Sequence, residues 1–294
     1  MFNQKRLEYT FIIFFIFLVF IMFDIFQLQT TEFQTTSEII DQQNLDKFYI
    51  TAPRGEIFDI NGEKIAETKL EPHLFINMRK ITNENSSDYR QIIQYNFPEL
   101  ATREINEIFE SKDILRFVIN LSSVEFEVRN NLLTNFDAFL IIDLPIRNYI
   151  KNKLFAHTIG YLGIPNQDEF NNFQNASGNN QVGKNGIERY YEDHLSGIPG
   201  ELTFLGSEII ESKQPTPGKD LFLSIDSSTQ LVTKESLQQG IDLANKSFES
   251  TNEIKRGASV VLEIETGNII SMVSLPDFNP NKFVSGISLS LIHI

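Results

Sequence analysis

The 294-residue chain contains no cysteine and only four histidines. Without cysteine, the protein has no disulfide framework, no thiolate metal site and no thiol nucleophile. The histidines are scattered along the chain, and none has the spacing of the H-E-x-x-H zinc motif. The sequence therefore predicts neither a metal site nor another cofactor.

Basic residues are also scarce, and the formal net charge is −14. A nucleic-acid-binding protein presents a basic surface, whereas no run of lysine or arginine long enough to grip phosphates occurs after residue 10. We therefore exclude nucleic acid as a partner. Hydrophobic residues make up 41% of the chain and charged residues 22%, which is the usual balance of a globular protein with a sizeable core.

One long hydrophobic run lies near the N-terminus, at residues 9–26, where Asp24 is the only charged residue. A transmembrane helix needs roughly 20 apolar residues, so the run is just long enough. Lys5 and Arg6 precede it and acidic residues follow it. The positive-inside rule then predicts a cytoplasmic tail at 1–8 and an exported remainder. A cleaved signal peptide is the less favoured alternative, because no A-x-A-like cleavage site follows the run.

Beyond the hydrophobic run, the pattern of apolar residues predicts an α+β fold. Residues 27–50 are polar and predict a juxtamembrane connector with some helical character. Asn61-Gly62 between apolar segments predicts a β-hairpin, because both residues tolerate positive φ. The other predicted elements are helices over 98–110 and 227–246, a helix opened by a capping box at 122–125, strands over 114–121, 140–147, 221–225, 258–264 and 269–274, and a surface loop over 166–186.

Three segments carry spaced motifs that contain no recognisable catalytic set. The first motif consists of Arg54, Gly55, Asp59, Asn61 and Gly62. The second consists of Arg147, Tyr149 and Gly160. The third has glycines and acidic residues at fixed spacing, namely Gly183, Gly186, Glu188, Glu192, Leu195, Gly197 and Gly200. None supplies paired carboxylates, a phosphate loop or a Ser-His-Asp arrangement, so we predict mechanical support rather than catalysis.

The order and spacing of these motifs, behind a single hydrophobic segment, resemble the dimerisation (pedestal) domain of class B penicillin-binding proteins. The third motif fits every fixed position of that family's pattern G-x2-G-x-E-x3-[DE]-x2-L-x-G-x2-G. The first departs from the family at Ile60, where arginine is usual, and the second at Ile150, where proline is usual. The resemblance implies that the three segments meet in one pedestal, held partly by ion pairs.

The region after residue 220 resembles the start of a penicillin-binding transpeptidase domain, which has a serine β-lactamase-like fold. Its ending at residues 283–287, Phe-Val-Ser-Gly-Ile, favours the type that acts in cell elongation and cell shape over the septal type. The resemblance implies a cytoplasmic tail at 1–8, a transmembrane helix at 9–26, a connector at 27–50, a pedestal domain at 51–220 and an incomplete transpeptidase domain at 221–294.

The nucleophile of this enzyme class lies in an S-x-x-K motif, yet no lysine of the chain has a serine three residues before it. We therefore expect no catalytic residue in this chain, and expect it to be a truncated part of a D,D-transpeptidase whose last six residues are not native. We then expect the apolar hairpin at 258–274, which includes Val260 and Val273, to be exposed. We also expect the part of the chain after about residue 220 to be less stable than the pedestal before it.

The partners that the resemblance implies are a SEDS-type glycosyltransferase and other membrane proteins of the elongation complex, in the bacterial inner membrane and periplasm. Peptidoglycan stem peptides and β-lactams are implied only for the complete enzyme. Two alternatives stay open: a septal or resistance-type transpeptidase, and a membrane-anchored interaction module without enzymatic activity.

Overall fold

The structure is a computed structural model that describes residues 14–15, 17–24, 45–173, 181–247 and 253–284. By their contacts, residues 1–46 and 203–210 form one compact unit, and residues 47–202 and 211–294 form another. In the first unit, residues 17–24 are helical and exposed. Within the described ranges, no helix combines the length and apolar character needed to cross a membrane. The predicted tail, part of the predicted span and residues 289–294 lie outside the described residues.

The described residues form an α+β fold, as the sequence predicts. The strands are β1 (Leu45–Ile50), β2 (Ile57–Phe58), β3 (Lys64–Asn77), β4 (Leu115–Asn120), β5 (Phe139–Tyr149), β6 (Leu162–Gly163), β7 (Val182–Gly183), β8 (Gly200–Leu205), β9 (Glu208–Lys213), β10 (Leu221–Phe222), β11 (Gly257–Leu262) and β12 (Ile269–Leu275). The helices are α1 (Ser86–Asn96), α2 (Thr102–Glu110), α3 (Phe126–Asn135), α4 (Ala156–Ile159), α5 (Gln167–Asn172), α6 (Gly186–Tyr190), α7 (Glu192–Leu195), α8 (Ser227–Ser247) and α9 (Asn281–Val284), with 3₁₀ turns at Met78–Lys80 and Asn152–Phe155.

The largest sheet is built around the fourteen-residue strand β3. It pairs antiparallel with β2, β4 and β5, and β10 adds to β2 in parallel. Successive residues of a strand face opposite sides of its sheet, so Leu74 and Ile76 point to the same side. They pack into a core with Ile93 of α1, with Phe97, which follows α1, and with Leu132 of α3. β1, β8 and β9 form a separate three-stranded sheet in that order.

The free edge of β5 is protected by two residues. The side-chain amide of Asn281 donates to the Tyr149 carbonyl and accepts from its N–H, so the backbone groups of Tyr149 point away from β3. Because this orientation repeats every second residue, the backbone nitrogen of Pro145, which carries no hydrogen, faces the same edge. Proline there removes a donor that another strand would need.

A second core is formed by residues from both sides of residue 220. It contains Ile57 and Ile65 of the hairpin, Tyr149 of β5, Leu195 of α7 and Ile225 from beyond the predicted domain boundary. Residues on both sides of that boundary therefore share buried apolar surface, and the stability division expected there stays a prediction. β11 and β12 form a two-stranded sheet that contacts α8.

The exposure predicted for this hairpin holds only in part. Val260 is 52% exposed and Leu262 is 57% exposed, as predicted. Val273, on β12, is 3% exposed. The difference arises because β12, rather than β11, makes most of the contacts with α8.

The sequence-based elements differ from the structure in several places. Residues 45–50 of the predicted connector form strand β1. The predicted surface loop contains α5 and β7, because Asn166 and Glu169 form a capping box that starts α5. The box predicted at 122–125 is wrong, since α3 begins at Phe126 without a side-chain capping bond. The strand predicted over 221–225 has only two residues, and the helix predicted over 98–110 begins at Thr102.

Candidate functional site

The three sequence motifs meet at a buried cluster of four charged side chains. Arg54 precedes β2, Arg147 lies near the end of β5, and Glu188 and Glu192 lie on the consecutive short helices α6 and α7. Their exposed fractions are 8%, 3%, 0% and 3%, respectively. Charged residues are rarely buried so completely unless they are paired, and here two positive charges face two negative ones.

Arg54 is the centre of this charge cluster. Its two terminal nitrogens donate to the two carboxylate oxygens of Glu192, at 3.0 and 2.9 Å, and its Nε donates to Glu188 Oε2 at 3.0 Å. Arg147 Nε donates to the other oxygen of Glu188 at 2.8 Å. The planar fork of arginine suits such paired contacts with carboxylates, so both acidic side chains are held in fixed orientations.

The charge cluster is tied to the backbone as well. Arg147 Nη1 donates to the carbonyl of Gly55 at 2.7 Å, and the N–H of Gly183 donates to Glu192 Oε2 at 2.8 Å. The Gly55 N–H donates to the Leu195 carbonyl. A Cβ on Gly55 would lie 1.9 Å from the carbonyl oxygen of Lys219, so this close backbone approach requires glycine.

The charges of the cluster stabilise one another electrostatically. Burial opposes ionisation of Glu188, but the charges and hydrogen bonds of Arg147 and Arg54 outweigh it and hold the pKa of Glu188 below its ordinary value. Burial also opposes the charge of Arg54, yet Glu188 and Glu192 raise its pKa. Burial, followed by the negative charge of Glu188, raises the pKa of the Tyr149 hydroxyl well above its ordinary value.

The arrangement locks chain segments together and offers no reactive group. Its charges are balanced, so it has no excess positive charge for an anion and no excess negative charge for a cation. Among the described residues, no group of three or more histidine, cysteine, aspartate or glutamate side chains could hold a metal ion. The charge cluster therefore gives the three motifs a supporting role.

The other residues of the first motif lie apart from the charge cluster. Asp59 Oδ1 accepts from the N–H groups of Asn61 and Glu63, which closes the β2–β3 turn. Gly62 has φ +80°, a conformation that favours glycine. The second oxygen of Asp59 accepts from the N–H of Ser227 at 3.2 Å. These residues therefore contact the start of α8 instead of the arginines.

The remaining motif residues surround the charge cluster. Tyr149 is buried, and its ring centroid lies 6.0 Å from Cζ of Arg147. Leu195 is fully buried in the second core. The remaining glycines sit at turns: Gly160 follows α4, Gly186 starts α6, Gly197 lies between α7 and β8, and Gly200 starts β8.

A second ionic group, around Glu169, is absent from the sequence-based site. Glu169 is 5% exposed and forms ion pairs with Lys184 and Arg189. It also accepts from the N–H of Asn166 at 3.0 Å. The signal that could have found it is the spacing Asn166-x-x-Glu169, which is that of a capping box. The composition of the segment, rich in polar residues, indicated a loop instead.

Stability should depend on pH through Glu169. Burial opposes its charge, but the hydrogen bonds from Lys184, Asn166 and Arg189 lower its pKa to about 2. Because the folded-state pKa is depressed, this stabilisation is complete above pH ~4.5 and is lost as the pH falls toward 2. We expect Glu169→Gln to lower the free energy of unfolding by about 2 kcal/mol at pH 6, after allowance for screening at half-exposed Arg189.

Urea unfolding of the detergent-solubilised chain at pH 6 and pH 2.5 measures this dependence. The difference in the free energy of unfolding between the wild type and Glu169→Gln should be smaller at the lower pH. The exposed variant Glu107→Gln is the control and should change little at either pH. An equal gap at both pH values would show that the effect comes from packing and not from the ionised carboxylate.

A profile of the family described as "Penicillin-binding Protein dimerisation domain" matches residues 49–223. The chain is 31% identical over 273 residues to the peptidoglycan D,D-transpeptidase MrdA of Acinetobacter baumannii, covering 87% of this chain and 37% of that relative. It is 28% identical to MrdA of Escherichia coli K12, covering 88% of this chain and 40% of that relative.

Solved structures show the same fold. Penicillin-binding protein 2 (PBP2) of Helicobacter pylori, in its complex with MreC, superposes with a TM-score of 0.65 at 24% identity, covering 85% of this chain and 46% of that chain. The chain thus spans less than half the length of these relatives. Since the family profile covers more than half of the chain and includes all three motifs, the chain belongs to the penicillin-binding proteins, in the family defined by their dimerisation domain.

Proposed function

We propose that the chain is the N-terminal part of a peptidoglycan D,D-transpeptidase that cross-links stem peptides during cell elongation. The observation that carries the proposal is its similarity to MrdA transpeptidases over 87–88% of the chain, which extends beyond the dimerisation domain. Within that enzyme, the described residues would form the pedestal and the first elements of the catalytic domain. The rigid charge cluster around Arg54 supports this mechanical role.

The chemistry would take place in a part of the enzyme that follows this chain. A serine attacks the carbonyl of the penultimate D-alanine of a stem peptide, the terminal D-alanine leaves, and an acyl-enzyme forms. An amine of a neighbouring stem peptide then attacks the ester, which forms the cross-link and frees the serine. β-Lactams would acylate the same serine. This chain contributes none of these reacting groups, because it has no S-x-x-K motif.

We also propose that residues 9–26 anchor the protein in the bacterial inner membrane, with residues 1–8 in the cytoplasm and the bulk in the periplasm. The charge asymmetry around the hydrophobic run supports this orientation. A reporter that is active only after export, fused after residue 50, tests the orientation: cytoplasmic reporter activity would contradict it.

The partners proposed for the complete enzyme are a SEDS-type glycosyltransferase and elongation-complex membrane proteins. The Helicobacter pylori PBP2 was solved with MreC, which makes a protein of that kind a reasonable partner for this pedestal. The second candidate function within the family is a septal transpeptidase. Depletion of the complete protein separates the two, because loss of lateral wall growth rounds cells whereas loss of septation lengthens them.

Covalent labelling with fluorescent penicillin tests the proposed function directly. The detergent-solubilised 294-residue chain should give no labelled band after denaturation, because it has no acylable serine of the S-x-x-K type. The complete gene product should be labelled, and changing its S-x-x-K serine to alanine should abolish the label. A labelled band from the 294-residue chain, or an unlabelled complete protein, would contradict the proposal.

A further inference from the structure

The start of helix α8 is held by two segments that lie far apart in the sequence. The first N–H groups of a helix have no partner within it and need a cap. Asp226, the residue before α8, accepts from the N–H of Thr229 and from the Ser228 hydroxyl, as a normal cap does. The N–H of Ser227, however, donates to Asp59 of the β2–β3 turn, 168 residues earlier.

The same turn also holds the capping residue itself. The Asn61 side-chain amide donates to Asp226 Oδ2 at 2.7 Å. The Ile60 N–H donates to the carbonyl of Ile225 at 3.0 Å. Three hydrogen bonds therefore join the turn to the start of α8, and all three cross the predicted boundary at residue 220.

The charges around this junction favour the closed arrangement. Asp59 is fully buried; burial opposes its charge, but hydrogen bonds from Ser227, Glu63 and Asn61 lower its pKa. The Asp59 and Asp226 carboxylates carry like charges, and the positive end of the α8 dipole offsets their repulsion. The adjoining open cleft, of about 550 Å³, is lined by further charged groups: Glu63, Lys151, Lys153 and Lys234.

We propose that the turn at residues 59–62 is a conformational latch between the pedestal and helix α8. When the turn is closed, Asp59 and Asn61 order the first turn of α8. When the turn opens, the Ser227 N–H loses its acceptor and Asp226 loses the donor that fixes its orientation. The state of the pedestal hairpin is thereby transmitted to the first long helix beyond the pedestal, and the coupling acts equally in both directions.

Hydrogen exchange of the detergent-solubilised full chain, followed by mass spectrometry, tests the latch from the pedestal side. Asn61→Ala removes the bond to Asp226 and leaves Asp59 in place. We expect exchange in peptides covering 227–233 to become roughly tenfold faster, as loss of one hydrogen bond to a charged group predicts. Peptides covering α1 should not change. The control is Asn96→Ala, which removes a hydrogen bond within α1 and should leave α8 unaffected.

Reciprocity is the outcome that distinguishes a latch from a local cap. Asp226→Asn keeps a good capping residue but replaces the acceptor for Asn61 with either a second amide donor or a weaker, uncharged oxygen. We expect faster exchange at the Asn61 and Glu63 amides of the turn. In the double variant Asn61→Ala/Asp226→Asn, exchange should be little faster than in either single variant, because both substitutions remove the same hydrogen bond. Unchanged exchange across the junction in either single variant, or equal acceleration throughout the chain, would overturn the proposal.

Discussion

Replacing Glu188 with glutamine is expected to destabilise the protein by about 3–5 kcal/mol, the range measured when one partner of a buried ion pair is removed. Glutamine keeps the shape of the side chain but loses its charge. Arg54 would keep its ion pair with Glu192, whereas Arg147 would lose the carboxylate with which it pairs. An uncompensated positive charge would remain buried between β5 and α6, where water cannot solvate it.

Urea unfolding of the solubilised chain measures this loss. Arg103→Met is the matched control, because Arg103 forms a single ion pair with Glu107 on the exposed surface of α2 and should change stability by less than about 0.5 kcal/mol. A Glu188→Gln variant as stable as Arg103→Met would mean that the buried charges contribute no more than surface ones. In that case the three motifs would be held together by packing alone.

Gly55→Ala should also be strongly destabilising and should lower the free energy of unfolding by about 3 kcal/mol or more. Overpacking usually costs about 1–3 kcal/mol, and here the new Cβ would meet the backbone oxygen of Lys219 at 1.9 Å. Backbone atoms cannot change rotamer to make room. The segments around Gly55 and Lys219 would have to separate, which would weaken the hydrogen bond from Arg147 to the Gly55 carbonyl.

The chain offers a matched control at Gly240. This residue lies in the interior of α8, and a Cβ there would meet nothing within 4 Å. Gly240→Ala should therefore stabilise the protein by about 0.5–1 kcal/mol, the difference in helix propensity. Opposite signs for the two alanine substitutions in thermal unfolding would establish close approach as the reason for Gly55. Similar small effects would show that the backbone at Gly55 can shift at little cost.

Local sequence signals predicted part of the local structure. Apolar periodicity marked α2 and α8, and Asn61-Gly62 marked the hairpin, because each depends on neighbours within a few residues. The prediction failed where partners are distant. Strand β1 was missed because it directly follows the polar residues of the predicted connector, and its partner, β8, lies far along the chain.

The candidate site shows the same division between local and distant signals. Spacing identified Arg54, Arg147, Glu188 and Glu192 as motif residues, but only a family resemblance implied that they meet, because 134 residues separate Arg54 from Glu188. No sequence pattern indicated that Asp59 would accept from Ser227. That bond depends on how α8 packs against the hairpin, which is decided by the shared core around Ile57 and Ile225.

The separation of Arg54 from its partners also determines when the pedestal can mature. Arg54 is made 138 residues before Glu192, and a ribosome adding about 5–20 residues per second needs roughly 7–28 s for that length. During this interval the hairpin and the long sheet can form, while the guanidinium stays hydrated and the second core remains open. A nascent chain is thus vulnerable to misfolding until α7 has emerged, because the charge cluster cannot close before Glu192 has been made.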